Sequence, residues 1–183
     1  MRRAIRSVIL FAMILQTVIP GWGKRDGGAP NVIEVRDVPM GKVYYEDKHP
    51  PRDCVGMIGR VCFTVQPIAW KGLNDPSKGI NLIVNVWGDS ASDFDVSKWT
   101  QASMTVNIDG NVGTLPASDL VWNEESSFEG RHIALPCESC IRTLAAGKEV
   151  WFSVQSDSRV SVKLSERTLE SIRAVLAKYD ALN

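Results

Sequence analysis

The sequence predicts a mainly β fold, an antiparallel sheet or β-sandwich with a short helix and a C-terminal amphipathic helix packed on it. Three observations support this. Short apolar segments alternate with polar residues at a period of two, turn residues separate these segments, and helical patterns occur only after residue 136. The alternating strand and helix order of a parallel nucleotide-binding fold is not found in the sequence. The observed order, a series of strands followed by two late helices, favours antiparallel pairing.

The first 23 residues have the pattern of a secretory signal peptide. Three arginines and no acidic residue lie in this segment, the run 7–20 is almost wholly apolar, and Gly21 and Gly23 supply small residues for cleavage after Gly23. The apolar run is too short to span a bilayer comfortably. We therefore predict a cleaved signal peptide at 1–23 and a periplasmic or secreted protein with no membrane span after cleavage. An uncleaved N-terminal anchor is the alternative.

The composition of the remaining chain predicts one domain and argues against a nucleic-acid partner. The polar, glycine-rich residues 24–31 predict a flexible linker, and residues 32–183 are long enough for a single β-rich domain. Cleavage after Gly23 reduces the 21 basic residues to 18 against 21 acidic ones, a net charge of −3. Nucleic-acid binding needs a concentrated basic surface, so we expect no nucleic-acid partner.

Strand patterns follow the linker in order. The predicted strands before the first helix are 32–36, 42–45, 60–66, 80–87, 102–108, 120–122 and 132–135. In residues 80–87 the apolar side chains alternate on one face, and Ile83 and Trp87 extend apolar character to the other face. This pattern predicts a central strand. Asp109 and Gly110 are a good type I′ turn pair, which predicts a hairpin at that point.

The C-terminal segment opens with a short predicted helix at 137–148. Pro136 prevents an earlier start, Glu138 suits the positive N-terminal end, and Gly147 can take the left-handed conformation that ends many helices. These signals predict a helix of about two turns.

A hairpin and a closing helix complete the predicted domain. Residues 150–154 and 160–164 alternate in the same sense, so both strands face one core. Ser165 can cap the following helix. The apolar face of that helix is formed by Leu169, Ile172, Leu176 and Tyr179.

The four cysteines are the first candidates for chemistry. In an exported chain the even set Cys54, Cys62, Cys137 and Cys140 favours structural disulfides. Three connectivities are possible, and the simplest has two local disulfides, Cys54–Cys62 and Cys137–Cys140. A redox role is the alternative, because a Cys-x-x-Cys at a helix N-terminus lowers a thiol pKa. Four thiolates could also bind zinc, but the spacing of the first pair is outside the usual range.

Other catalytic patterns are weak. The segment 88–92 resembles a strained nucleophile turn but lacks its second glycine. Asp89, Asp93 and Asp95 miss the spacing of an EF-hand loop and are interpreted as a solvated loop. The sequence predicts no cofactor and no metal.

Tryptophans are the second set of candidates. Five remain after cleavage, namely Trp70, Trp87, Trp99, Trp122 and Trp151. Trp151 shares its strand face with polar residues, so it lies either beneath the last helix or on the surface as an anchor for a partner. Trp99, at the end of a polar loop, is the other predicted binding residue.

The C-terminal features together resemble the C-terminal half of invasion-associated locus B proteins. The resemblance rests on the pair Cys137 and Cys140, the helix end at 145–148, the strands 150–154 and 160–164, and the closing helix, about a quarter of the chain. The cysteine spacing is tighter than in the family, and the glycine-phenylalanine pair after the second strand is missing. The resemblance implies an exported β-rich protein of the bacterial envelope, without enzymatic activity, associated with host-cell entry. It carries over no catalytic residues.

We therefore expect a non-enzymatic exported protein that binds an envelope or host macromolecule, with an unidentified protein or envelope component as partner. The alternative is a thiol-disulfide oxidoreductase in which Cys137 is the nucleophile and Cys140 the resolving thiol. A third interpretation is an accessory subunit or inhibitor in a secretion or conjugation system, which differs from the first only in the partner.

Overall fold

The computed structural model of the chain describes residues 29–56, 60–88, 104–114, 119–123, 129–135, 137–155 and 158–182. Within these residues the strands are β1 (Val32–Asp37), β2 (Lys42–Asp47), β3 (Asp53–Val55), β4 (Val61–Gly72), β5 (Lys78–Gly88), β6 (Thr105–Ile108), β7 (Asn111–Thr114), β8 (Asp119–Asn123), β9 (Glu129–Leu135), β10 (Val150–Gln155) and β11 (Arg159–Lys163). The helices are α1 (Glu138–Ala146) and α2 (Glu166–Asp180). The predicted signal peptide at 1–23, most of the linker at 24–31, the three loop aspartates and Trp99 lie outside the described residues.

The strands form two antiparallel sheets. Sheet A has the order β1-β2-β4-β5-β9-β8, and the short β3 also pairs with β4. Sheet B has the order β11-β10-β6-β7. Every strand pair among the described residues is antiparallel. The predicted mainly β fold with two late helices is therefore confirmed.

The long pair β4 and β5 forms the middle of sheet A, as the apolar pattern of β5 predicts. Leu82, Val84 and Val86 on one face of β5 are fully buried, and Ile83 on the other face is also buried. β4 continues to Gly72, beyond the end predicted at residue 66. Pro67, which has no N–H, lies in the part of β4 that is opposite neither β2 nor β3, so it removes no hydrogen bond from those pairs.

One core joins the two sheets and both helices. Its buried side chains come from sheet A, from sheet B and from the apolar faces of α1 and α2; they include Phe63, Leu82, Val84, Met104, Ile141, Leu144, Phe152, Leu169, Ile172 and Val175. Helix α2 packs mainly against β4 and β2, and α1 packs against α2. The faces predicted for the closing helix and for the C-terminal hairpin are therefore confirmed.

Helix α1 ends differently from the prediction. Gly147 has φ −64° and ψ 145°, an extended conformation, so the predicted left-handed ending is wrong. A Cβ atom at Gly147 would lie 2.7 Å from the Ile108 Cγ2 atom and 2.9 Å from the Val150 Cγ2 atom. Glycine is required there because β6 and β10 approach the helix end closely.

Two other local signals are confirmed. The Ser165 side chain accepts a hydrogen bond from the Thr168 N–H and caps α2. Asp109 and Gly110 both have positive φ, 51° and 89°, as a type I′ turn requires between β6 and β7. Neither helix in the described residues is long and apolar enough to cross a membrane.

Candidate functional site

The outward side of sheet B carries the predicted binding residue Trp151. The strand register places the following side chains together on this side, which we name the outer face of sheet B: Thr105, Asn107, Val112, Thr114, Trp151, Ser153, Gln155, Arg159, Ser161 and Lys163. The alternate residues Val150, Phe152 and Val154 point into the core. The face therefore carries mainly hydroxyl and amide groups, two basic side chains at β11 and one large aromatic ring.

The Trp151 ring is held by its neighbours. Its Nε1 donates a hydrogen bond of 2.8 Å to the Glu149 Oε1, and the Lys163 Nζ lies 3.3 Å from the same oxygen and 5.8 Å from the ring centroid. The hydrogen bond from Trp151, together with Lys163, lowers the pKa of Glu149, so the carboxylate stays charged. The indole is half-buried. It therefore presents aromatic surface in a fixed orientation, which lowers the entropy lost when a partner binds.

Helix α2 does not lie over Trp151. It packs on β4 and β2 of sheet A, whereas Trp151 is on the outer face of sheet B. Of the two placements that the sequence left open for Trp151, the structure shows the one at the surface, half-buried. The other predicted binding residue, Trp99, lies outside the described residues.

The cysteine pair at the start of α1 is the second candidate site. Cys137 and Cys140 form a disulfide, and Cys137 is the N-cap residue of the helix. The Cys137 Sγ accepts a hydrogen bond of 3.3 Å from the Cys140 N–H, and the Ser139 Oγ lies 3.5 Å from the same sulfur. Both cysteines are half-buried. In the reduced state a backbone N–H at a helix N-terminus would stabilise a Cys137 thiolate.

The other disulfide, Cys54–Cys62, has a structural role. Cys54 and Cys62 are bonded across the pair of β3 and β4, so both local pairings predicted from the sequence are present. Next to it, the Asp53 Oδ2 accepts hydrogen bonds from the Ser165 N–H at 3.1 Å and the Thr168 hydroxyl at 2.7 Å. This short strand, which the sequence did not predict, thus ties the N-terminus of α2 to sheet A.

A buried ion pair completes this attachment of α2. The Asp47 side chain, fully buried, accepts a 3.1 Å hydrogen bond from the Arg167 Nη2 and further bonds from the N–H groups of Asn31 and His49. This pair was not predicted from the sequence. No local signal could have identified it, because 120 residues separate Asp47 from Arg167. Its geometry indicates a structural role.

Glu46 makes folding stability depend on pH. Burial, reinforced by the charge of Asp47, raises the pKa of Glu46 above its ordinary value of 4.5. The folded state therefore holds this proton to higher pH than the unfolded state, and stability falls as pH rises from about 4.5 through the raised pKa. We expect Glu46→Gln to be more stable than the wild type above this window and equal to it below about pH 4. Urea unfolding at each pH measures the difference.

Glu138 provides a control of opposite sign. Hydrogen bonds from Arg142 and then Tyr179 lower the pKa of Glu138. Its contribution to stability is present above the ordinary pKa of 4.5 and is lost as pH falls through the lowered value. Glu138→Gln should therefore be less stable than the wild type at neutral pH. An identical pH profile for both variants would contradict the assignment for Glu46.

The described residues contain no group of three or more histidine, cysteine or acidic side chains arranged to hold a metal ion. Comparisons of the chain with protein-family models, with curated proteins and with solved structures found no match. The resemblance of the C-terminal segment to invasion-associated locus B proteins therefore stays a prediction.

Proposed function

We propose that the protein is a non-enzymatic, exported binding protein that contacts an envelope or host macromolecule through the outer face of sheet B. The observation that carries the proposal is the placement of Trp151, a half-buried aromatic ring that contacts Glu149 and Lys163 at one end of this polar face. Tryptophan is enriched among the residues that supply most of the binding energy at protein interfaces.

Two features support export. The N-terminal residues have the pattern of a secretory signal peptide, and all four cysteines are in disulfides. Disulfides persist in oxidising compartments such as the periplasm and the cell exterior. A role in host-cell entry is consistent with this proposal and rests on the family resemblance alone.

The chemistry of the face favours a partner with a polar, largely neutral surface. The Ser153 and Ser161 hydroxyls hydrogen-bond to each other at 2.7 Å and leave further acceptor positions open to a partner. Thr105 and Thr114 continue this row of hydroxyls across β6 and β7. Hydroxyl groups around an aromatic ring satisfy polar groups of a partner while the ring supplies buried area.

Replacing Trp151 with alanine tests the proposal. Immobilised mature protein is incubated with a bacterial envelope extract and, separately, with host cells, and the bound material is quantified. An interface anchor is worth about 2 kcal/mol or more, so we expect Trp151→Ala to reduce retention of the specific partner by about 30-fold. The measurement is the dissociation constant of each retained component for both proteins.

Val38→Ala is the matched control, because Val38 is 71% exposed and lies in the turn between β1 and β2 of sheet A. It should bind like the wild type. A thermal unfolding curve for Trp151→Ala distinguishes lost binding from lost folding. Unchanged binding by a folded Trp151→Ala variant would remove this face as the binding site, and Trp99→Ala then tests the other candidate.

The geometry of Cys137 favours a second candidate, thiol-disulfide exchange. After an external thiol reductant has reduced the Cys137–Cys140 disulfide, the Cys137 thiolate would attack a substrate disulfide, and Cys140 would then attack the Cys137 sulfur, which releases the reduced substrate and re-forms the Cys137–Cys140 bond. The hydrogen bond from the Cys140 N–H to the Cys137 sulfur supports this role.

Alkylation after mild reduction tests this candidate. A redox-active pair predicts that Cys137 reacts with iodoacetamide at pH 6 at least tenfold faster than Cys140, and that the protein catalyses insulin reduction. The Cys137→Ser variant should then be inactive. Equal, slow alkylation of both thiols and no insulin turnover would exclude the enzyme and leave the disulfide as structural.

A further inference from the structure

Among the described residues β7 is an edge strand of sheet B, and it differs from the strands at the other ends of the two sheets. The strands at the other three ends carry charged residues: β1 has Glu34 and Arg36, β8 has Asp119, and β11 has Arg159 and Lys163. Charged residues on an edge strand prevent pairing with another chain. β7, with the sequence Asn-Val-Gly-Thr, has no charged residue and no proline, and all four of its residues are exposed.

The register of the hairpin shows which backbone groups of β7 are unused within it. In a two-residue type I′ hairpin the residues that flank the turn, Ile108 and Asn111, form a hydrogen-bonded pair. Hydrogen-bonded and non-hydrogen-bonded pairs then alternate. The N–H and C=O groups of Val112 and Thr114 therefore point away from β6. Val112 also exposes 69% of its surface on the outer face of sheet B.

We propose that β7 pairs antiparallel with β7 of a second copy of this chain, so that two sheets B join into one. A two-fold axis at Gly113 places Val112 opposite Thr114 of the second copy, and the reverse. Four backbone hydrogen bonds then use all of the outward N–H and C=O groups of Val112 and Thr114. The pairing joins β-branched side chains and brings no like charges together.

Gly113 suits the position on the axis. Directly opposite residues in a non-hydrogen-bonded pair are only about 4.5 Å apart between Cα atoms, so small residues allow the closest approach. A Cβ atom at Gly113 would have nothing within 4 Å, so a side chain can be introduced there without disturbing the fold. The strand is self-complementary, which favours a second copy over an unrelated peptide.

The pairing is expected to be weak. Four hydrogen bonds and a short strand offset only part of the freedom lost on association, so we expect a dissociation constant on the order of 1 mM. The two-fold axis places the outer faces of both copies of sheet B on the same side of the joined sheet. Counting strand spacings, the two Trp151 residues would be about 24 Å apart.

Cysteine cross-linking tests the register. In the mature, oxidised protein, Gly113→Cys places the two introduced cysteines directly opposite each other. In Val112→Cys the Cα atoms of the two introduced cysteines would be about 8 Å apart, too far for a disulfide. We expect Gly113→Cys to form a covalent dimer at least tenfold faster than Val112→Cys at about 0.1 mM protein. Similar rates for the two variants would show random collision and overturn the proposal.

Sedimentation equilibrium tests the interaction without added cysteines. The wild type should show a rising average mass up to about 1 mM, and Val112→Lys should remain monomeric because charges on the edge oppose pairing. Val38→Lys is the matched control, since it adds the same charge at an equally exposed valine in a turn and should self-associate like the wild type. A wild type that stays monomeric at 1 mM, or equal effects of both lysines, would overturn the proposal.

Discussion

Asp47→Ala is expected to lower the free energy of unfolding by about 3 kcal/mol, because it leaves the Arg167 guanidinium without its charged partner in a mostly buried position. The Asp47 side chain is fully buried and that of Arg167 is 21% exposed. The substitution also removes the acceptor of two backbone N–H groups, from Asn31 and His49. Urea unfolding of the wild type and the variant gives the difference.

Two further variants separate charge from hydrogen bonding. Asp47→Asn keeps an acceptor oxygen for the backbone and should lose less stability than Asp47→Ala. Arg167→Met in the Asp47→Ala background removes the orphaned charge and should recover part of the loss. Arg36→Ala breaks the exposed pair with Glu34 and serves as the surface control, with little expected effect. A loss for Asp47→Ala as small as for this control would contradict the role of the buried pair.

Phe152→Ala is expected to cost about 3–5 kcal/mol of stability, because it removes a fully buried aromatic side chain from the core that the two sheets share. Phe152 lies directly opposite Val162 on β11 and Val106 on β6, so the cavity would open in the core against the inner face of sheet B. The measurement is again the free energy of unfolding in urea.

Trp151→Ala, one residue earlier on the same strand, is the matched control. Trp151 is larger than Phe152, yet it is only half-buried and faces outward. Its loss should therefore cost clearly less stability while it affects binding more. A larger loss of stability for Trp151→Ala than for Phe152→Ala would contradict the assignment of inner and outer faces of β10.

The sequence predicted most of the local structure. Alternation at a period of two identified both faces of β5 and of β10, because each face meets a different environment and the side-chain period of a strand is fixed. Ser165 and the pair Asp109 and Gly110 identified a helix start and a turn, since their effects act within a few residues. Gly147 shows the limit of such signals: its role is set by the packing of β6 and β10 against it, and not by its own φ.

The sequence by itself determined most of the strands, the Ser165 cap of α2, the turn between β6 and β7 and the most economical cysteine pairing, because each of these depends on neighbours close in the chain. Only the tertiary structure decided where α2 packs, that Asp47 pairs with Arg167, and that Trp151 remains on an outer face. These features depend on contacts between residues far apart in sequence. Their strength comes from burial and from charges brought together by the fold, which no local pattern records.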